Sequence, residues 1–296
     1  MEIPQTYRVS VIIPNYNGKS LLGQYLPYVF RAFAACNAIT ESEIIVVDDA
    51  STDGSAEYLT KEWSEIHLLQ NEQNSGFGKS VNKGIAAARY EIVCILNTDM
   101  QLSEDYFSVL LPFFDKEQVF GAYCAIRDPR TDEITEGRKQ VRIHHNKLSY
   151  IDLCGEQEEG ESMYLCGGNA LVWRDKLLAL GGYDELFCPF YFEDMDLSLR
   201  AKAKGWVSLY TTRTSCLHQH AATIGTHFSP QDVQEIFLRN RVYINYRYLS
   251  GITWLLFMAS ACFHALQEII CHKPYRPYGK ALRHLADSRP TADSAE

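Results

Sequence analysis

Within the first hundred positions, short apolar runs rich in β-branched residues alternate with stretches of helical spacing. No other feature restricts the chain's fold as much. Val9–Ile13 reads as a buried strand stopped by Pro14. Ile44–Val47, Ile66–Leu69 and Ile92–Leu96 repeat the signal. Between them Gly18–Ala35, Ser55–Trp63 and Gly78–Ala88 read as helices, the first with Pro27 as a place to kink or split. Such alternation predicts βαβ units, and hence an α/β fold with a Rossmann-like, mostly parallel central sheet flanked by helices. Sheets of this kind bind ligands at the carboxyl ends of their strands, so the polar residues just after each strand are the first candidates.

Beyond about residue 115 the pattern loosens. Phe120–Ile126, Leu165–Val172 and Trp206–Leu209 read as strands, and Met195–Lys204 and Pro230–Tyr248 as helices. Arg127–Glu136 reads as a charged loop and Gly155–Glu161 as an acidic, mobile one. No internal repeat is present. The 296 residues are 46% hydrophobic, enough to fill the core of one large domain or two small ones. A net charge of -9 argues against a nucleic-acid partner, because that binding rests on neutralising phosphates with Lys and Arg. Nine cysteines, odd in number and without a CxxC pair, fit buried thiols in a reducing compartment better than zinc ligands. Met1–Ser10 carries no apolar signal segment, which predicts a cytoplasmic chain.

Two predicted strands end in carboxylates. Ile44–Val47 runs into Asp48-Asp49-Ala50-Ser51-Thr52-Asp53-Gly54, and Ile92–Leu96 into Asn97-Thr98-Asp99. Carboxylates on one sheet edge can accept from a base N–H or a ribose hydroxyl, or hold Mg²⁺ or Mn²⁺ against a diphosphate. Asp49, Asp53 and Asp99 also suit turns and helix caps. Asp53-Gly54 fits the turn reading best, and Asp48 and Asp99 the functional one. The segment Asn71–Asn82 contains Gly78-Lys79-Ser80, but Gln73 stands where a P-loop needs Gly and the segment follows the wrong strand. Its glycines instead let backbone approach a ligand or open the following helix.

Taken in order, several segments resemble family 2 glycosyltransferases of the GT-A fold. They are Val9–Gly18, Val47–Ser55, Asn74-Ser75-Gly76-Phe77, Leu96–Asp99, Cys166–Ala170 and Phe192–Arg200, and the likeness runs from about residue 8 to 250. The Asn97-x-Asp99 form and the late Arg239-Asn240 pair resemble the rhamnosyltransferase-like branch. The resemblance implies an inverting enzyme that moves a sugar from a UDP- or dTDP-sugar to a saccharide or lipid-linked acceptor in cell-surface glycan synthesis. It implies a GT-A domain over 1–250, with a nucleotide-binding half to about 115 and an acceptor half beyond. A helical region at 251–285 and a disordered tail at 286–296 follow. Pro14, Asn15, Asp48, Asn74, Gly76, Asn82, Asn97 and Asp99 would meet the nucleotide sugar, with Asp48 at the base and Asp99 at the metal and diphosphate. Gly168, Asn169, Glu193 and Arg239 would meet acceptor or phosphate, and Asp194 would be the catalytic base. The wider fold's usual metal motif is Asp-x-Asp. Here Asn97 stands first, which keeps an oxygen ligand but removes a charge.

Glu193, Asp194 and Asp196 follow Phe190-Tyr191-Phe192. Aromatic neighbours and like charge can raise a carboxyl pKa toward the range of a general base. First-turn capping of a helix is the other reading; Asp196 fits that alone, or the binding of a nearby cation. His218 and His220 are candidates for metal or phosphate contact, or structural histidines, with His218 the metal candidate by family position.

Gly251–Ile270 is the most apolar stretch, but its unbroken core, Trp254–Ala259, is short against the roughly 20 residues that a span needs. Basic residues follow, among them Lys273, Arg276, Lys280 and Arg283. Peripheral contact with the inner face of an anionic membrane and packing on the protein's own core are both open. A nucleotidylyltransferase would want a Gly- and Arg-rich loop after the first strand, where Pro14-Asn15-Tyr16-Asn17 stands. A non-catalytic sugar-binding subunit would not need the carboxylates present here. A dehydrogenase would need Gly-x-Gly-x-x-Gly at that place.

Overall fold

The strand nearest the middle of the sheet shows why the alternation is so legible. All of Ile92–Leu96 is at most 1% exposed, because a strand covered on both faces is apolar throughout. The computed structural model describes residues 5–155, 159–218, 228–271 and 276–287. They fall into two compact units, the first within Met1–Gln140, Ile151–Pro189 and Glu193–Thr223, the second within Val141–Tyr150, Phe190–Phe192 and Ile224–Glu296.

In the first unit β1 (Tyr7–Asn15), β2 (Ile39–Asp48), β3 (His67–Gln70) and β4 (Ile92–Leu96) alternate with α1 (Lys19–Ala35), α2 (Ser55–Glu62) and α3 (Phe77–Ala87). Then come β5 (Met100–Leu102), α4 (Tyr106–Leu110), β6 (Val119–Arg127) and β7 (Ile134–Glu136). A two-stranded ribbon follows in the chain, β8 (Arg138–His144) with β9 (Lys147–Leu153), of which Val141–Tyr150 is counted in the second unit. Last are β10 (Gly160–Ser162), β11 (Asn169–Trp173), α5 (Arg174–Ala179), α6 (Glu193–Ala203) and β12 (Val207–His218). The main sheet has the order β10-β12-β6-β11-β4-β1-β2-β3, with β5 on β12 and β7 on β6. It is parallel across β3-β2-β1-β4 and again between β6 and β12, whereas β11 runs antiparallel to β4 and β6 on either side. α3 lies directly on β1: a Cβ on Gly84 would stand 2.4 Å from the Ile12 side chain. Pro27 sits inside an unbroken α1.

The differences from expectation have local causes. β2 begins at Ile39, because Glu41, Ser42 and Glu43 pair with β1 through their backbones and carry no apolar signal. The loop expected at Arg127–Glu136 is a turn capped by Asp128, which accepts from the amides of Arg130 and Thr131, followed by β7. β12 extends to His218 because a register shift between Thr211 and Ser215 hides its periodicity. Of the expected loop at Gly155–Glu161, residues 156–158 lie outside the described residues, while Gly160–Ser162 pairs with β12. His220 and residues 288–296 of the expected tail also lie outside them, and residues 286–287 are helical. All nine cysteines are free, but Cys154, Cys262 and Cys271 are exposed rather than buried.

The second unit holds α7 (Pro230–Tyr248), α8 (Gly251–Ile270) and α9 (Pro277–Asp287). Ser229 caps α7 by accepting from the Asp232 amide, with Pro230 in the first turn. The buried Glu268 carboxylate of α8 accepts from the amides of Tyr278 and Gly279 at the start of α9, where the helix dipole favours negative charge. Asn240, fully buried on α7, donates to the carbonyls of Phe190 (2.8 Å) and Tyr191 (3.0 Å). It thereby fixes a turn in which Tyr191 and Phe192 have φ of 78° and 74°, a strained region for bulky residues.

Candidate active site

Strand pairing brings the candidates to one edge. Asn15 on β1 is in register with Asp48 on β2, and Asn169 on β11 with Leu96 on β4. Asn97, Thr98 and Asp99 leave β4 beside Gly168, whose carbonyl accepts from the Asn97 amide at 3.0 Å. Glycine at 168 lets the Asn97 side chain pack against the backbone, since a Cβ there would lie 2.7 Å from its amide nitrogen. A Cβ on Gly167 would meet the Asp194 side chain at 3.4 Å. Two adjacent glycines thus form a saddle with Asn97 on one side and Asp194 on the other.

Asp194 opens α6, and its Oδ1 accepts from the Met195 amide at 2.7 Å. Burial raises its pKa to about 6, against the opposing pull of the Met195 and Gly167 amides and the Lys139 ammonium. Burial, reinforced by the charge of Asp194, pushes the Glu193 carboxyl well above the ordinary range. Glu193 Oε2 is buried without a hydrogen-bond partner among the described residues. A neutral acid beside a poised base is the arrangement that separates two adjacent carboxyls into two roles.

Asp99 is 7% exposed, and His218, at the end of β12, places Nε2 3.2 Å from Asp99 Oδ2. Burial lowers the imidazole pKa, but the Asp99 carboxylate outweighs it and the net shift is upward. Two cis ligands each about 2.1 Å from one octahedral ion stand about 3 Å apart, so this pair fits a divalent cation. Among the described residues no third His, Cys, Asp or Glu joins them. A bound ion would therefore complete its shell from substrate oxygens and water, as Mg²⁺ commonly does.

Several candidates also make bonds within the scaffold. Asp48 is 1% exposed; its oxygens accept from Asn15 Nδ2 (2.8 Å) and the Ser51 amide (3.1 Å), bonds that tie the end of β1 to the end of β2. Asn15 Oδ1 is the acceptor left over, buried and without a partner among the described residues. Asn82 spends both amide atoms on the backbone of Tyr183, at 2.8 Å each, and Asn169 bridges to the Cys124 backbone. Asp196 binds a neighbouring cation, Arg200, whose guanidinium holds the carbonyls of Leu180 and Gly182. Asp53 accepts from the amides of Lys19 and Ser55, the turn role expected of it. Arg239 lies in the second unit, its guanidinium over the Tyr243 ring. Pro14 is half-buried at the end of β1 and Asn74 is exposed in the loop before α3.

Two features escaped the sequence. Asp49, placed among turn residues, pins the loop before α3: it accepts from Asn71 Nδ2 (2.7 Å) and from the amides of Ser75 and Gly76 (2.8 Å each). Gly76, with φ of 85°, packs so tightly that a Cβ would stand 2.7 Å from Pro189 Cα. The second is Lys139, 4% exposed, whose ammonium pairs with Glu136 (3.0 Å) and Asp152. Glu136 lies 3.9 Å from His218 Nδ1, so a half-buried chain of charged groups leads away from Asp99. No motif marks it, because its members come from the stretch without periodicity.

The model of the family described as Glycosyl transferase family 2 matches residues 10–181. The chain belongs to that family. Among its relatives is the N-acetylglucosaminyl-diphospho-decaprenol L-rhamnosyltransferase of Mycobacterium tuberculosis, 25% identical over 67% of this chain and 74% of that one. Another is the poly-beta-1,6-N-acetyl-D-glucosamine synthase of Staphylococcus epidermidis, 33% identical over 62% of this chain and 44% of that one. Solved glycosyltransferases share the GT-A fold. GalNAc-T7 with UDP, GalNAc and Mn²⁺ superposes with a TM-score of 0.64 at 17% identity, covering 91% of this chain and 58% of that one. The Pyrobaculum calidifontis mannosyltransferase with GDP-Man and Mn²⁺ gives 0.59 at 16%, covering 98% and 78%. The family 2 member is therefore a glycosyltransferase of glycan or glycolipid synthesis, built on an α/β sheet flanked by helices.

Proposed function

We propose that this glycosyltransferase transfers a sugar from a UDP- or dTDP-sugar to an acceptor hydroxyl with inversion at the anomeric carbon. The observation that carries the reading is Asp194, a carboxyl with pKa raised to about 6, held on the Gly167–Gly168 saddle with Asn97. Asp194 takes the proton of the acceptor hydroxyl as that oxygen bonds to the anomeric carbon. The bond from that carbon to the diphosphate breaks, and the diphosphate leaves with the electron pair. Glu193, protonated, donates a hydrogen bond to a hydroxyl of the bound sugar. Asn15 Oδ1 and Asn97 meet the donor at the sheet edge. Asp99 and His218 would hold Mg²⁺ or Mn²⁺, which would supply positive charge for the leaving diphosphate; neighbours solved with Mn²⁺ support this. The mycobacterial relative's name supports a lipid-linked acceptor, and hence work at the cytoplasmic face of a membrane. Comparing donor and product anomers by NMR tests the reading: inversion is expected, and retention would overturn the single displacement by Asp194.

A further inference from the structure

The second unit carries a cavity of about 210 Å³ to which the transfer chemistry assigns no task. Lys147 and Arg241 line it with permanent positive charge, His145 and His264 with imidazoles, and no Asp or Glu lines it. Neither Lys147 nor Arg241 has an ion-pair partner among the described residues. Leu256 and Ser260 bring α8 to its wall. On that helix Ile252, Leu255, Leu256, Phe263, Leu266, Ile269 and Ile270 are 46–67% exposed. At 100° per residue they fall within an arc of roughly 140°, and they run about 27 Å along the axis. The helix is long and apolar enough, by length and composition, to cross a membrane. Its other side, however, carries Thr253, His264, Gln267 and the buried Glu268 that caps α9, so only one face is free of polar groups.

An uncharged apolar stripe beside an acid-free cationic pocket, in a chain of net charge -9, is complementary to an amphiphile with an anionic head. We propose that this face docks on an anionic bilayer. Lys147 and Arg241 bind the phosphate of a phospholipid headgroup, and the α8 stripe lies at the level of the acyl chains. No donor sugar is needed for this binding, so its failure and the failure of the transfer reading are separable.

Flotation of the full chain with vesicles of phosphatidylcholine alone, or mixed with phosphatidylglycerol, is the test. The parent should float with the anionic vesicles. Lys147→Glu with Arg241→Glu should weaken that binding about tenfold or more, toward the level of the neutral vesicles. Leu255→Asp with Phe263→Asp should abolish binding to both; all four positions are at least partly accessible, and a melting curve checks that each variant folds. Inorganic phosphate should release no more protein than chloride of equal ionic strength. The proposal is overturned by a parent that ignores both vesicles, by undiminished binding of the charge-reversed pair, or by specific release with phosphate, which would make the pocket a soluble-anion site. It is equally overturned if the parent ignores vesicles and sizing shows a dimer that Phe263→Asp splits, since a second copy would then cover the stripe.

Discussion

Replacing Asp194 with Asn should lower turnover by about 10²–10⁴-fold while nucleotide affinity stays near that of the parent. The amide keeps the carboxyl's shape on the Gly167–Gly168 saddle but cannot take a proton. The parent should also lose activity as pH falls through about 6, because burial leaves the carboxyl protonated below that value. The stability effect has the opposite sign. A carboxyl whose folded pKa is raised stabilises the fold at low pH, and that contribution fades as pH rises through the folded value. The Asn variant should therefore melt no lower than the parent at neutral pH, and higher if the charge is costly. A variant that turns over normally, or one that is inactive because it unfolds, would remove Asp194 from the role.

Asp99→Ala should weaken nucleoside diphosphate binding on the order of 10²-fold in the presence of Mn²⁺, and flatten the response to added metal. The carboxylate oxygen 3.2 Å from His218 Nε2 is half of a donor pair at this edge whose spacing suits a cation. Calorimetric titration with and without Mn²⁺ reads both effects. Affinity and metal response equal to the parent would leave Asp99 as a turn residue at the end of β4.

These two residues were legible in the sequence because each follows a signal that physics makes strong. β4 is buried on both faces, so its apolar run ends sharply and marks Asn97 and Asp99. Asp194 stands in a cluster of acids behind three aromatics, a pattern that few other segments share. The asparagines were less readable. Asn15, Asn82 and Asn169 look alike in a chain of letters, yet Asn82 and Asn169 bond backbone from distant segments and only Asn15 keeps a buried oxygen free. Which partner an amide finds depends on long-range packing rather than on local spacing. Lys139, Glu136 and Asp152 were hidden for a related reason: β7 to β9 are short or half-exposed, and their periodicity does not rise above that of a loop. The polar half of β2 was lost the same way, since main-chain pairing leaves no trace in side-chain pattern.

The transfer itself is the most direct test. Purified protein incubated with UDP-, dTDP- and GDP-sugars, with Mn²⁺ and a lipid-diphosphate-linked saccharide, should release nucleoside diphosphate from a UDP- or dTDP-sugar. Release should depend on the acceptor and disappear in the Asp194→Asn variant. Folded protein that releases nucleoside diphosphate from none of these donors, or releases it equally well with Asp194 replaced, would contradict the account.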